Sequence, residues 1–435
     1  MATNNLLEAF RKTSQNLLLF PLITPEDLAR FRIEYGTRVR AELEQVMEDC
    51  SPMNNKVIFA GHRGCGKSTL LADFGRRIRD RYFVVFFSIS DMIEMSDVNH
   101  INILFAIAVE MMDQAEKENI RIKDSIRNSF YEWFATKTRT NIEEFKKEGN
   151  LGLNLLEWIK LALKNNSTIR DELKEEFKRK ISDLIYRVNE IASVIQDATN
   201  QDVLLIIDDL DKVDLPLVRT IYYDHIKVLM QPSFRIIYTV PIAAMREISL
   251  RRTLEDETSN QVKFMHVSKF FKKGENRNPD AIPNEKVVKI FRELLLKRIA
   301  IDLIEPDILE QIILKSGGVL REAIRIMNQC CSECLLLIRM EPDNKDIKIN
   351  QEVLEQALNE LRNDFATPLS NSHYRILTTI YRHFNPDNKD DDERQKFLDL
   401  LHGVYVLEYR NADLWYDVHP IVVDLLKRRG LLLEA

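Results

Sequence analysis

The segment GHRGCGKS at residues 61–68 has the spacing of a phosphate-binding loop. It fits G-x-x-x-x-G-K-[ST], with an apolar run before it and a helical pattern after it, as that motif requires. Where side chains are absent, successive N–H groups can turn inward onto phosphate oxygens, and the following helix adds its positive N-terminal end. Lys67 is expected to bridge the β- and γ-phosphates, and Ser68 to bind Mg²⁺. The residues expected to hold the nucleotide are Gly61, His62, Arg63, Gly64, Cys65, Gly66, Lys67, Ser68 and Thr69.

A second group of reactive side chains follows the apolar run VLLIID at residues 203–208. A carboxylate that ends such a strand can hold Mg²⁺ through water, and Asp208 is predicted in this role. Asp209 is the candidate general base that orients an attacking water, with Asp211 as its rival. An acidic surface turn is the alternative, but acids that close a buried strand are hard to explain in that way.

The elements around these motifs predict an α/β fold. The chain has only 12 glycines in 435 residues, which argues against an all-β architecture and for long helices. Apolar runs that read as buried strands alternate with helical patterns, which indicates a parallel sheet with right-handed crossovers. The predicted strands are residues 57–60, 82–90, 203–208, 235–240 and 262–267.

Four regions are predicted along the chain. A helical segment at residues 1–50 precedes a nucleotide-binding core at residues 51–275, in which a charge-rich helical insertion occupies about 102–198. After a polar linker with two prolines, a helical lid is expected at residues 284–365. Residues 367–435 carry two helices, an alternating stretch that reads as a hairpin, and a last helix. That order is typical of a winged-helix domain.

Charge and cysteine content narrow the function classes. The net charge is −6, so the basic excess of a general nucleic-acid binder is lacking. The five cysteines are odd in number and no signal stretch opens the chain, so a reducing cytoplasm is expected. Cys330, Cys331 and Cys334 have no further ligand nearby and read as core thiols rather than a zinc site. Cys65 reads as a small filler beside phosphate, with a redox thiol as the alternative. No apolar run reaches the roughly 18 residues of a membrane span.

The chain resembles the AAA+ ATPases and their relatives, the STAND signalling NTPases, from about residue 38 onward. The resemblance rests on GHRGCGKST, LLIIDDLD, the polar residue in IIYTV and the arginine in SGGVLREAIRIM, which come in the family's order. It implies that ATP or ADP and Mg²⁺ are bound. Thr239 would sense the γ-phosphate, with a hydroxyl that satisfies a strand end as the alternative. Arg321 would contact phosphate from the lid beside Gly317 and Gly318, with a surface helix arginine as the alternative.

Two further roles come from the same resemblance. In AAA+ proteins an arginine finger lies between the sensor strand and the next strand, where this chain has Arg251 and Arg252. In STAND proteins the histidine of a Met-His-Asp motif after the hairpin holds the β-phosphate of ADP. His419 is its match, but Val and Pro flank it here, so a buried or capping histidine is an open alternative.

The departures from the family also carry expectations. The family's general base is usually Glu, and the shorter Asp209 suggests slow turnover. The first hypothesis is therefore a nucleotide switch that forms a homo-oligomer on ATP binding and controls a partner protein, with bacterial defence as its setting. The alternative is a DNA-binding ATPase of the origin-recognition or transposition-regulator type. It is less favoured, because the acidic stretch DNKDDDE precedes the expected recognition helix and the hairpin has three acids to one arginine.

Overall fold

The computed structural model describes residues 2–49, 55–120, 122, 124–138, 155–387, 390–410 and 413–432. Cys50, the predicted boundary at residues 50 and 51, and residues 139–154 of the predicted insertion lie outside the described residues. The chain divides into two compact units. The first consists of Met1–Thr37, Gly61–Leu70 and Met265–Ala435 and is called the lid unit here because it contains residues 284–365, the predicted lid. The second, the sheet unit, consists of Arg38–Ala60 and Leu71–Phe264.

The strands and helices agree closely with the sequence pattern. The strands are β1 (Lys56–Gly61), β2 (Tyr82–Ser88), β3 (Asp202–Asp208), β4 (Arg235–Pro241), β5 (Val262–Met265), β6 (Val406–Arg410) and β7 (Leu414–Val418). The α-helices are α1 (Ala2–Asn16), α2 (Pro25–Phe31), α3 (Thr37–Asp49), α4 (Lys67–Arg77), α5 (Ile89–Met92), α6 (His100–Lys117), α7 (Asp124–Thr138), α8 (Leu155–Asn165), α9 (Ser167–Phe177), α10 (Ile181–Thr199), α11 (Leu215–Arg219), α12 (Ile226–Leu229), α13 (Ile248–Glu257), α14 (Glu285–Leu296), α15 (Pro306–Lys315), α16 (Leu320–Met340), α17 (Gln351–Ala366), α18 (Asn371–His383), α19 (Asp391–His402) and α20 (Pro420–Arg428).

The sheet confirms the predicted α/β fold. Its strand order is β2-β3-β4-β1-β5, and β3 runs parallel to both β2 and β4. Parallel strands end at the same edge, and the register sets Ser88 at the end of β2 opposite Asp208 at the end of β3. The strand predicted to reach residue 90 stops at Ser88, because the Ser88 hydroxyl accepts a hydrogen bond from Ser90 N and caps α5.

The helical insertion shares one apolar core with the sheet. Helix α6 is buried on almost every side, as expected for a helix surrounded by its neighbours. Aromatic rings of α6, α7 and α9 contact one another. Phe105 stacks on Trp133 at 5.6 Å between centroids, and Trp133 meets Phe177 in a tilted arrangement at 5.3 Å. Helix pairing, the expected role of this region's heptad-like pattern, is therefore observed within the described residues.

The lid unit contains the cysteine cluster and the hairpin. Cys330, Cys331 and Cys334 are fully buried on α16, and burial raises the pKa of each thiol, so the prediction of core thiols is confirmed. Strands β6 and β7 pair antiparallel, from Val406 opposite Val418 to Arg410 opposite Leu414. The hairpin thus lies between α19 and α20, in the predicted order. None of the helices in the described part of the chain has the length and apolar character that crossing a bilayer needs.

Candidate functional site

The glycine-rich loop joins β1 to α4, and its glycines serve its backbone shape. Gly64 has φ +80° and Gly66 has φ +97°, in the left-handed region that favours glycine. A Cβ at Gly61 would approach the carbonyl oxygen of Met265 to 2.7 Å. The loop therefore favours glycine at these three positions, which fits a phosphate cradle.

Lys67 is folded back over the loop. Its side chain is buried, and Nζ donates hydrogen bonds to the carbonyl oxygens of Gly61 at 3.0 Å and His62 at 2.7 Å. The Cys65 thiol is also buried, with Sγ 3.7 Å from the Met265 carbonyl oxygen. A lysine ammonium held at such a loop has the charge and the donor geometry that an incoming phosphate needs. Cys65 has the environment expected of a filler residue.

The N-terminal segment and the lid both contact this loop region within the lid unit. Leu22 N donates to the Thr69 hydroxyl at 3.0 Å, so Thr69 holds the segment that precedes α2. Arg321 N, in the first turn of α16, donates to the Gly64 carbonyl oxygen at 3.1 Å. A Cβ added at Gly64 would lie 2.7 Å from the Arg321 Cβ. Arg321 therefore lies at the loop, and its contact with phosphate stays a prediction.

Residues of the C-terminal region touch the loop as well. The ring of His62 is buried, and its Nε2 accepts a hydrogen bond from the backbone N of Glu408 in β6 at 2.8 Å. Arg63 Nη2 lies 2.7 Å from Nε2 of His402, the last residue of α19. Sequence reasoning did not find His402 or Glu408. The Glu408 contact uses a backbone N–H, which the residue type does not reveal. His402 ends an amphipathic helix, and nothing in its sequence neighbours distinguishes it.

His419 caps the last helix. The ring is fully buried, its Nδ1 accepts from Ile421 N at 3.3 Å, and it stacks on Phe365 at 5.2 Å between centroids. Its Nε2 has no hydrogen-bond partner in the described chain. None of these contacts involves residues 61–69, so the capping role that was left open is observed, and the role in holding ADP stays a prediction.

Replacement of His419 by Gln is expected to reduce the acid sensitivity of folding. Burial, together with Arg325 and Lys315, lowers the pKa of His419 from 6.5 to about 3. Between these pH values the unfolded chain binds a proton that the native chain does not, so the free energy of unfolding falls as the pH falls below 6.5. From pH 7 to pH 5 this contribution amounts to about 2 kcal/mol.

Urea unfolding at pH 7, 6 and 5 measures this effect. The drop in unfolding free energy should be about 2 kcal/mol smaller in His419→Gln than in the wild type. His383→Gln, which changes an exposed histidine at the end of α18, should keep the wild-type drop. Equal drops in all three proteins would show that His419 is not held neutral by burial.

The sheet unit holds the acidic turn that follows β3. Asp208, Asp209 and Asp211 are buried, and each can present a carboxylate oxygen within 4.8 Å of the others. They are the one such group of potential metal-binding side chains in the described residues. Oxygen ligands of this kind suit Mg²⁺, so the residues present fit the expected ion.

Asp209 is held by three partners that sequence reasoning missed. Its carboxylate accepts hydrogen bonds from the hydroxyls of Ser88 at 2.8 Å and Ser90 at 3.1 Å, and pairs with Lys212 Nζ at 2.6 Å. Burial alone would raise the pKa of Asp209, but Lys212 and the two serines outweigh it and hold the pKa below its usual value. A carboxylate stabilised in this way is a weak base.

Thr239 on β4 and the arginine pair on α13 complete the predicted set. The Thr239 hydroxyl donates to Ile207 O and accepts from Leu210 N, both at 3.1 Å, so it supports the acidic turn. Arg251 pairs with Glu255 at 2.7 Å, and Arg252 has a side chain that is 83% exposed. The sensor role of Thr239 and the finger role of either arginine stay predictions.

Comparisons with known proteins give only distant likenesses. No protein-family model matches the chain, and no curated protein matches it either. The structure of Cdc6p from Pyrobaculum aerophilum is similar at 13% identity, covering 94% of this chain and 98% of that one, with a TM-score of 0.40. The Aeropyrum pernix ORC2 protein in ADPNP-ADP complexes is similar at 11% identity, covering 92% of this chain and 96% of that one, with a TM-score of 0.42. Drosophila ORC bound to DNA is similar at 9% identity, covering 96% of this chain and 91% of that one, with a TM-score of 0.36. Likenesses at such values do not establish a family or an activity.

Proposed function

We propose that the chain is an ATP-binding and slowly ATP-hydrolysing switch of the AAA+ or STAND kind. The observation that carries the proposal is the set of contacts on the glycine-rich loop. Gly64 is bound by the lid through Arg321 N, and His62 by the C-terminal hairpin through Glu408 N. A ligand that changes the conformation of the loop would therefore change its contacts with both regions.

Nucleotide phosphates would compete for the donors of this loop. Lys67 Nζ now donates to two backbone carbonyls, and a phosphate oxygen is a stronger acceptor because it carries charge. His62 and Arg63 flank that position and carry the C-terminal contacts. A nucleotide that binds one arrangement of these contacts better than another will shift the population toward it.

The acidic turn would supply the metal and the slow chemistry. Asp208 and its neighbours would hold Mg²⁺, and the ion would supply positive charge for the phosphates of a bound nucleotide. The low pKa of Asp209 keeps it charged, and the cluster of Ser88, Ser90 and Lys212 limits its strength as a base. Slow turnover suits a switch, since the bound state then lasts.

The proposal also assigns roles to the lid, to the C-terminal region and to assembly of several copies. Residues 284–365 would form the lid, and the order α18, α19, hairpin and α20 supports a winged-helix domain at 367–435. A homo-oligomer formed with ATP is proposed, and the exposed Arg252 is available for a neighbouring copy. The nucleotide-bound state would act on a partner protein in the cytoplasm.

Mass photometry of the wild type and Asp209→Asn tests the switch. We expect a larger species with ATP and Mg²⁺ than with ADP, and we expect Asp209→Asn to hold that species longer because the base is lost. Asp183→Asn, an exposed acid on α10, is the matched control and should behave as the wild type. One unchanging mass under all nucleotide conditions would contradict the assembly proposal.

DNA binding is the second candidate, and one surface favours it. Arg375 and Arg382 of α18 line a cavity of about 780 Å³ together with Arg429, which lies over the Tyr374 ring at 4.4 Å. Asp387 and Glu393 line the same cavity and weaken its positive field. Gel-shift binding that falls steeply with salt and is lost in Arg375→Ala with Arg382→Ala would support this candidate over protein output.

A further inference from the structure

A second cavity lies wholly within the lid unit, between the linker, α15, α18, the hairpin and α20. Its volume is about 290 Å³, close to the lower end of the range for small-molecule sites. Its lining includes Lys269, Phe271, Tyr381, Tyr409 and Trp415. Neither the glycine-rich loop nor the acidic turn contributes to the lining, so the cavity is separate from the proposed nucleotide machinery.

Five of the eighteen residues that line the cavity are aromatic, namely Phe270, Phe271, Tyr381, Tyr409 and Trp415. The Tyr409 and Trp415 rings of the hairpin stack at 4.6 Å between centroids and 25° between planes. The Tyr381 ring lies under the Arg277 guanidinium, with Cζ 3.7 Å from the ring centroid. Rings and a stacked guanidinium present planar faces, which favour a planar, aromatic guest.

The acids of the cavity are already neutralised. Asp417 pairs with Arg277 at 2.5 Å and also accepts from Asn276 Nδ2 at 2.8 Å. Asp424 pairs with Lys315 at 2.5 Å. These two ion pairs involve both acids among the lining residues, so the remaining cations of the wall have no acid of the wall as a partner.

Two lysines of the wall, Lys269 and Lys427, have no ion-pair partner among the described residues. Burial lowers the pKa of Lys269, and nearby Glu275 only partly offsets this. An anion close to the ammonium would reverse the effect of burial, since an opposite charge favours the charged form. The cavity thus combines planar apolar walls with unpaired positive charge.

We propose that this cavity binds a small planar aromatic anion, with Lys269 and Lys427 against its charged group and the hairpin rings against its aromatic face. The ligand class is defined by an aromatic ring that carries one carboxylate, sulfonate or phosphate. The cavity volume suits a molecule of one or two rings.

The hairpin connects this cavity to the glycine-rich loop. Tyr409 lines the cavity, and its neighbour in β6, Glu408, donates its backbone N–H to His62. The Tyr409 hydroxyl donates to Gly317 O at 2.6 Å, at the start of the lid segment that contains Arg321. A bound anion is therefore expected to change nucleotide affinity, and this coupling rests on the proposed function.

Binding is tested first without nucleotide, by calorimetry and ligand-observed NMR. The probes are indole-3-acetate, naphthalene-2-sulfonate and phenyl phosphate, with indole and acetate as the neutral and non-aromatic comparisons. We expect at least one aromatic anion to bind with a Kd below about 1 mM and more tightly than either comparison. Lys269→Ala should weaken binding about tenfold, as the loss of a charged contact does.

Lys272→Ala is the matched control, because Lys272 pairs with Glu275 on the surface and does not line the cavity. It should bind the probe as the wild type does, and Lys427→Ala should weaken binding as a second test. Failure of all three anions to bind, equal binding of indole and indole-3-acetate, or unchanged affinity in both cavity variants would overturn the proposal.

The coupling has its own measurement. ADP affinity is determined with and without a saturating anion, and a change of at least about fivefold in either direction is expected. An unchanged ADP affinity beside clear anion binding would overturn the coupling alone. A protein that binds the anion but no ADP would contradict the nucleotide switch and leave the cavity site standing.

Discussion

Substitution of Lys67 by Ala is expected to weaken the binding of ADP and ATP by about 100-fold, equivalent to about 2.7 kcal/mol. The buried ammonium donates to the Gly61 and His62 carbonyls, at the position where the loop would meet phosphate. Charge-assisted hydrogen bonds to phosphate contribute about 1.5 to 3 kcal/mol, and no other lysine lies within residues 61–69 to replace them. Calorimetric titration of wild type and variant measures the loss.

Lys56, the first residue of β1, offers a control of the same residue type. It is also buried and also donates to two backbone carbonyls, of Pro232 at 2.8 Å and Phe234 at 2.9 Å. Lys56→Met should lower the free energy of unfolding, because those carbonyls lose their donor, but leave nucleotide affinity within about twofold of the wild type. If Lys67→Ala binds ADP as tightly as the wild type, the proposal that the glycine-rich loop binds nucleotide is wrong.

The sequence predicted those features of the fold and of the candidate site that depend only on residues adjacent in the chain. The loop at residues 61–68 and the acids after VLLIID are contiguous, and their types alone fix the chemistry they can do. The strands were readable because buried parallel strands are continuous apolar runs. Arg321 was predicted from the family resemblance, and its backbone N donates to Gly64 O, while its contact with phosphate stays a prediction.

The parts that the sequence could not predict depend on strand register or on backbone atoms. Ser88 and Ser90 reach Asp209 only because β2 lies beside β3 with Ser88 opposite Asp208. Nothing in the serines' own surroundings marks them. The contact between Glu408 and His62 uses a backbone N–H, a group that every residue except proline has.

The glycine pair that precedes Arg321 is closely packed in the structure. The sequence placed Gly317 and Gly318 beside phosphate because they precede the lid arginine. In the structure a Cβ at Gly317 would meet Leu407 at 2.6 Å and Pro420 at 2.9 Å, and a Cβ at Gly318 would overlap the Ser268 carbonyl oxygen. Gly318 N donates a hydrogen bond to the Ser316 hydroxyl at 3.2 Å. Both glycines are thus needed for close packing inside the lid unit.

Gly318→Ala is therefore expected to lower the free energy of unfolding by about 4 kcal/mol. Gly318 has φ +84°, and a Cβ there would lie 1.8 Å from the Ser268 carbonyl oxygen, far inside contact distance. That oxygen belongs to backbone, and Ser268 N is bonded to Gly318 O at 3.2 Å, so neither side can move away cheaply. Strain in φ and steric overlap then add.

Gly430→Ala separates these two costs. Gly430 also has a left-handed φ, +67°, but a Cβ there would meet nothing within 4 Å. Only the backbone strain remains, so this variant should lose about 1 kcal/mol. Urea unfolding of the three proteins without nucleotide measures both values. If the two variants lose equal stability, the close approach of Gly318 to Ser268 is not what requires glycine, and a role at phosphate becomes the better explanation.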